Sequence, residues 1–221
     1  MCFSATASFG SGVVLTAVGV ATLAKTKHRS EWVFAAIPLL FGIQQIAEGF
    51  TWLTLMHSED MKWQTLAVNS FLFFSHILWP VWIPLSVYLM EKEPVRKKIY
   101  AAILGLGIVL AVSELYCMIV FPTIAIVNQS HIDYTVAFPR WYAIITEGVY
   151  FVVTLLPCYI SSVKRMWLFG YCLTLTLVMS AIFYKMYVVS IWCFFAALTS
   201  VVIYFILWDV RKSIKLKDYA P

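Results

Sequence analysis

Seven long apolar runs leave this chain almost no way to fold in water. They lie at roughly 9–24, 32–56, 64–90, 99–121, 141–161, 166–184 and 186–208, and a helix that crosses a bilayer needs about 20 such residues. In hydrocarbon each unpaired backbone group costs several kcal/mol, so runs of this length are expected as helices that close their hydrogen bonds internally. Little chain remains for anything else. The longest connection, Pro122 to Arg140, is too short for an independent domain. The expected fold class is therefore all-α, a polytopic membrane bundle that forms a single transmembrane domain over residues 1–221.

Composition narrows the function classes. The chain is 62% hydrophobic and 12% charged, against about 45–50% and about 25% in soluble domains, which excludes a water-soluble protein. With 17% aromatic residues it is also far too apolar for a solvated coil. The net charge of +5 comes from short clusters between apolar runs rather than from one basic groove, so nucleic acid is not an expected partner and a lipid bilayer is.

Those basic clusters fall on alternate connections. Lys25, Lys27 and Arg29 follow the first run; Lys92, Arg96, Lys97 and Lys98 the third; Lys164 and Arg165 the fifth; Arg211, Lys212, Lys215 and Lys217 the seventh. The other connections hold Glu59, Asp60 and Lys62, then Asp133 and Arg140, then Lys185. Positively charged loops stay in the cytoplasm, so the N-terminus is expected outside and the C-terminus inside. No positive charge precedes the first run, unlike a secretory signal, and that run is expected to remain as a span.

Ionisable side chains within a span cost about 2.5–3.5 kcal/mol on insertion scales and normally face the bundle interior with a partner. Here they are Glu48, His76, Glu114 and Glu147, in the second to fifth runs. At a rise of about 1.5 Å per residue, the three acids lie roughly 9–12 Å inside the outer boundary and His76 about 20 Å. One polar cavity open to the outside accounts for the shared depth. Gln44 and Gln45 precede Glu48 on the same helical face, and Glu147, Tyr150, Thr154 and Cys158 follow helical spacing as a polar seam. The expected ligand- or proton-binding set is Glu48, Gln44, Gln45, His76, Glu114, Glu147 and Tyr150, with Glu48, Gln45 and Glu147 facing one another. Taken singly, each acid has a plainer role, snorkelling or bonding a serine, and a lone histidine usually packs.

Other features read as structural. Ser8, Gly12, Thr16 and Gly19 place small residues on one face of the first run, where another helix approaches closely. Trp32, Trp63, Trp141 and Trp208 stand near run boundaries as interfacial anchors. The cysteines at 2, 117, 158, 172 and 193 form no C-x-x-C pair, which removes zinc-ribbon and thioredoxin-type motifs. Pro80, Pro84 and Pro157 interrupt the third and fifth runs. The opening residues 2–6, with Cys2, Ser4 and Thr6, are expected to fold over the outer mouth as a lid.

Met1-Cys2-Phe3-Ser4-Ala5-Thr6, together with Gly-x-Gln-Gln-x-x-Glu-Gly at Gly42 to Gly49, resembles an uncharacterised bacterial family of polytopic membrane proteins. His131-Ile132-Asp133-Tyr134 and Ser190-Ile191-Trp192-Cys193-Phe194-Phe195-Ala196-Ala197 extend the resemblance along most of the chain. It implies a bacterial protein, in the cytoplasmic (inner) membrane, and brings no known activity. In that family's pattern the Gln44 position is often His, so Gln here weakens a metal role. Cys2, His131 and Cys193 gain interest as outside residues; with Met1 removed, Cys2 would offer a thiol and an amine to a metal.

Three functions compete. The leading one is binding or transport of a small solute, a cation or protons, with the acids as charge-accepting groups. The second is a metal-dependent intramembrane hydrolase of a lipid or amide, with a divalent metal held by Cys2, His76, Glu48 and Glu147. Ceramidase-like hydrolases share the seven-span count, but they use several His ligands, and here only His76 lies well inside a span. The third is thiol redox chemistry through Cys2 and Cys193, which needs the two sulfurs within disulfide range. The residues name neither a reaction, a cofactor nor an oligomeric state.

Overall fold

Ser4 starts the first helix: its hydroxyl accepts from the Ala7 N–H at 3.2 Å, and Ala5–Lys25 follows. This N-cap satisfies one of the amides that a helix start leaves unpaired. The computed structural model describes residues 4–57, 60–128, 131–183 and 188–209. Among them are seven helices long and apolar enough to cross a membrane: Ala5–Lys25, Arg29–His57, Met61–Met90, Pro94–Val120, Arg140–Ile160, Met166–Phe183 and Val189–Asp209, here spans 1 to 7. The expected membrane helix bundle is the observed one. Its boundaries move most at span 4, which begins at Pro94 because Glu93 caps it through the Val95 N–H at 3.2 Å and Pro94 needs no donor there.

The small-residue face of span 1 meets span 2. A Cβ placed on Gly19 would lie 2.4 Å from the Leu39 amide nitrogen, so glycine is what allows this approach. A second close contact has a different cause. Pro84 has no N–H to give the Pro80 carbonyl, and span 4 packs against that carbonyl at Gly107, where a Cβ would stand 2.1 Å from the oxygen.

Span 3 changes its winding midway. Residues Met61–Leu72 and Trp79–Met90 are α-helical, and Phe73–Leu78 between them form a π-turn. Pro80 cannot donate to the carbonyl of His76, the normal α-helical acceptor, and the wider turn precedes it. The buried core between the spans includes Phe34, Trp79, Ile83, Tyr100 and Phe169, with Phe41 stacked on Trp79 at 4.0 Å. Outward positions are also apolar, Val109, Ile119 and Ile182 among them, as lipid contact requires. Trp32, Trp63, Trp141 and Trp208 are exposed near the span ends.

Among the described residues one element is not helical. Thr123–Asn128 and His131–Val136, β1 and β2, pair antiparallel between spans 4 and 5, with Thr123 opposite Val136 and Asn128 opposite His131. The β1 side chains alternate between half-buried and exposed, as one-sided packing dictates. Ile132 is fully buried, Tyr134 stacks on Phe71 at 4.6 Å, and Thr123 donates to Asn69 Oδ1 at 2.8 Å. Ala125, Tyr134 and Val136 pack on a cluster of Val68, Phe71, Leu72 and Cys193. The hairpin thus sits against spans 3 and 7 at the end of the bundle where span 1 begins.

The opposite end carries the basic residues that follow spans 1, 3 and 5 and is joined by polar contacts. Glu91, just after span 3, accepts at Oε1 from the N–H groups of Lys92 and Glu93 and from the Ser162 hydroxyl, and at Oε2 from the Ser162 N–H at 3.0 Å. Burial acts to raise its pKa. The hydrogen bonds from Ser162, Glu93 and Lys92 outweigh that and hold the carboxyl below its usual range. Lys164 and Arg165 reach Asp209 of span 7 at 3.3 and 3.6 Å, and Lys25 donates to the Tyr204 hydroxyl at 2.6 Å.

Candidate functional site

Toward the hairpin end, the polar residues of different spans meet in two groups. The first centres on Glu48, which is fully buried. Its Oε1 accepts from the Ser190 hydroxyl of span 7 at 2.6 Å and its Oε2 from Gln45 Nε2 at 3.3 Å. Gln45 Oε1 in turn accepts from the Ser11 hydroxyl of span 1 at 3.3 Å. Gln44 turns toward span 3, where its Oε1 accepts from Trp79 Nε1 at 2.8 Å. The thiol of Cys193, one turn after Ser190, lies close to Gln44 and Glu48. Three spans therefore hold one carboxylate, and the local cause is the helical spacing that puts Gln44, Gln45 and Glu48 on adjoining faces of span 2.

The second group is the pair His76–Glu114. His76 Nδ1 and Glu114 Oε2 are 3.6 Å apart, beyond direct hydrogen-bond length and within reach of a bridging water. Glu114 is buried and His76 half-buried. Hydroxyls of Tyr142 and Thr146 flank the carboxylate from span 5. Tyr150, one turn beyond Thr146, is close to both Glu114 and Cys193, and so stands between the two groups. His76 lies in the π-turn, and windings of this kind recur at functional sites.

Several buried polar atoms here have no partner at hydrogen-bond distance: Ser8 Oγ, Gln44 Nε2, Trp52 Nε1, Glu114 Oε2 and the Tyr142 hydroxyl. Such atoms are few in native proteins, and each asks for a water, an ion or a ligand. Between the spans is a cavity of about 20 Å³ lined by Phe41, Trp79, Tyr150, Thr154, Trp192, Cys193 and further apolar side chains. That volume holds a water-sized group.

Not every expected residue joins. Glu147 is exposed, so it does not face Glu48 and Gln45 across the interior. The buried face of span 5 runs through Thr146, Tyr150, Thr154 and Cys158, and Glu147 is turned about 100° from Thr146. It lies at the rim, near enough to Glu114 to act on its charge. Among the described residues no group of three or more His, Cys, Asp or Glu side chains is placed to hold a metal ion. Cys2 lies outside the described residues. So does the start of the expected N-terminal lid, and the rest of it, Ser4 to Thr6, is instead the cap and first turn of span 1. His131 is on the hairpin, half-buried, and burial lowers its pKa.

Spacing alone did not single out Trp79, Tyr142 or Thr146. The signal for Trp79 is chemical: an indole N–H in a buried helix needs an acceptor, and the Gln44 amide oxygen supplies it.

Comparison with known proteins adds a family and nothing more. Residues 1–218 match the family of unknown function DUF6629. No curated protein and no solved structure matches the chain.

Proposed function

Since the chain belongs to the family of unknown function DUF6629, which lends it no activity, we propose a function from the interior chemistry: binding, and passage across the membrane, of a proton or a small cation. The observation that carries this reading is Glu114, a buried carboxylate whose Oε2 has no hydrogen bond and whose facing base is a single imidazole at 3.6 Å. In a low-dielectric interior a carboxylate in such surroundings takes up a proton or a cation rather than keep an uncompensated charge. Glu48, with Ser190 and Gln45 as neutral donors, is the second charge-accepting group, and Tyr150 links the two.

The molecule acts as one transmembrane domain. Its hairpin end faces the outside and its basic end the cytoplasm, following the charge bias of the loops. In keeping with the sequence resemblance, the membrane is the bacterial cytoplasmic membrane.

The test is flux into vesicles. Purified protein in liposomes with an internal pH dye, driven by a potassium diffusion potential, is expected to acidify the lumen, and Glu114→Gln to abolish this while inserting normally. A parallel assay follows sodium. Flux of both ions equal to that of empty liposomes in the wild type would overturn the reading.

A further inference from the structure

The acid groups are closed off in this structure, and the strands of the hairpin are part of what closes them. Glu48, Ser190 and Gln45 are fully buried and Cys193 nearly so. Ser190, which holds the Glu48 carboxylate, lies on the first turns of span 7 between Val189 and Cys193. Those two side chains belong to the apolar cluster under Ala125, Tyr134 and Val136 of the hairpin. The seat of the hairpin is thus the same helix start that binds the acid.

The hairpin is built so that it can leave this seat as a unit. Its backbone hydrogen bonds are made between its own two strands, and Ala137 N–H to Pro122 O, at 3.3 Å, closes its base. Undocking therefore breaks side-chain contacts and leaves the strand pairing whole. Both roots are prolines, Pro122 and Pro139, and Pro139 stands directly before span 5 as its N-cap. A two-stranded hairpin is marginal by itself, so its position depends on what it packs against: the Tyr134 ring on Phe71, the buried Ile132, and the Thr123–Asn69 hydrogen bond. Asn69 lies on span 3, two turns before His76. The seat therefore touches the span that carries the His76–Glu114 pair as well as the span that carries Ser190 and Cys193.

We infer that the β1–β2 hairpin is the lid of the polar interior, and that ions or protons from the hairpin side reach Glu48 when it lifts off Phe71, Asn69 and the start of span 7. This deepens the proposed function by naming the gate of the same site, and it rests on that reading for what passes the gate.

Cys193 is a native reporter of the lid, and Cys158, buried deeper in span 5 and away from the hairpin cluster, is an internal control. The experiment uses the full chain in liposomes, modified with N-ethylmaleimide and read per cysteine by peptide mass spectrometry. In the wild type both thiols are expected to react slowly. The double variant Thr123→Ala/Tyr134→Ala, which removes the polar tie and the ring stack, is expected to speed Cys193 at least about tenfold and leave Cys158 unchanged. An unchanged Cys193 rate would overturn the lid, and so would an equal rise at both cysteines, which means general loosening of the bundle. A cross-linked variant gives the converse reading: Asn69→Cys/Thr123→Cys, bridged by a short bis-maleimide before labelling, is expected to slow Cys193 below the wild type, and a rate equal to or above it contradicts the lid. Glu114→Gln is expected to lose flux with no change in Cys193 labelling, so the lid and the ion reading fail separately.

Discussion

Two buried carboxylates, Glu91 at the basic end and Glu114 at the hairpin end, are treated in opposite ways. At the basic end, Glu91 has both oxygens occupied by donors from Lys92, Glu93 and Ser162, and Asp209 is met by Lys164 and Arg165. At the hairpin end, Glu114 Oε2 has no hydrogen bond, and the nearby Tyr142 hydroxyl is likewise left unmatched. A carboxylate saturated with donors fixes its charge and ties loops together. One left short of donors keeps capacity for a proton or an ion. The same residue type is thus a fastener at Glu91 and an exchangeable group at Glu114.

The largest effect is expected from removing the fastener. Glu91→Ala leaves the Ser162, Lys92 and Glu93 donors without their acceptor and is expected to cost about 2–3 kcal/mol, measured by chemical denaturation in detergent. A Glu91→Ala/Ser162→Ala double variant is expected to cost less than the sum of the two single changes. A neutral result for Glu91→Ala would erase the contrast between the ends.

Acid sharpens the comparison next. The folded pKa of Glu91 is lowered from 4.5, so its contribution is fully present above that value and is lost as pH falls through the folded pKa. Wild-type stability is therefore expected to decline below about pH 4.5, and Glu91→Gln to be less stable at neutral pH but flatter across the acid range. Equal acid slopes in the two proteins would remove Glu91 from the account.

A smaller change is expected at Trp79→Phe, which keeps the ring stacked on Phe41 but deletes the hydrogen bond to Gln44 Oε1. The expected cost is about 1 kcal/mol, with a larger fractional effect on flux, because Gln44 then loses its orientation toward Cys193. Glu147→Gln should do least. Its exposed position predicts an unchanged denaturation midpoint and, through its proximity to Glu114, a small change in the pH dependence of flux.

Much of the fold was legible because membrane helices announce themselves by length and apolarity, and here the run boundaries and the helix boundaries differ by only a few residues outside span 4. The acids in the second and fourth runs could be read as interior for a similarly strong reason, the cost of exposing charge to lipid. Glu147 departs from that reading because helical spacing groups residues only to within one side of a helix. Between Thr146 and Glu147 a single residue step separates the buried face from the exposed one. The hairpin has its own signal: Thr123, Ile124, Ile126 and Val127 are β-branched, as are Ile132, Thr135 and Val136, and both stretches lie between Pro122 and Pro139. The pairing of His76 with Glu114, by contrast, depends on how spans 3 and 4 are rotated, and the π-turn before Pro80 sets that rotation locally.

The most direct test of the central contrast is denaturation of Glu114→Gln and Glu91→Gln side by side, in one detergent at neutral pH. The isosteric amide replaces a carboxylate that is short of donors in the first protein and one saturated with them in the second. The account predicts that Glu114→Gln unfolds at or slightly above the wild-type midpoint while Glu91→Gln unfolds clearly below it. Loss of stability in Glu114→Gln as large as in Glu91→Gln would contradict it, because the acid at the hairpin end would then be holding the fold together.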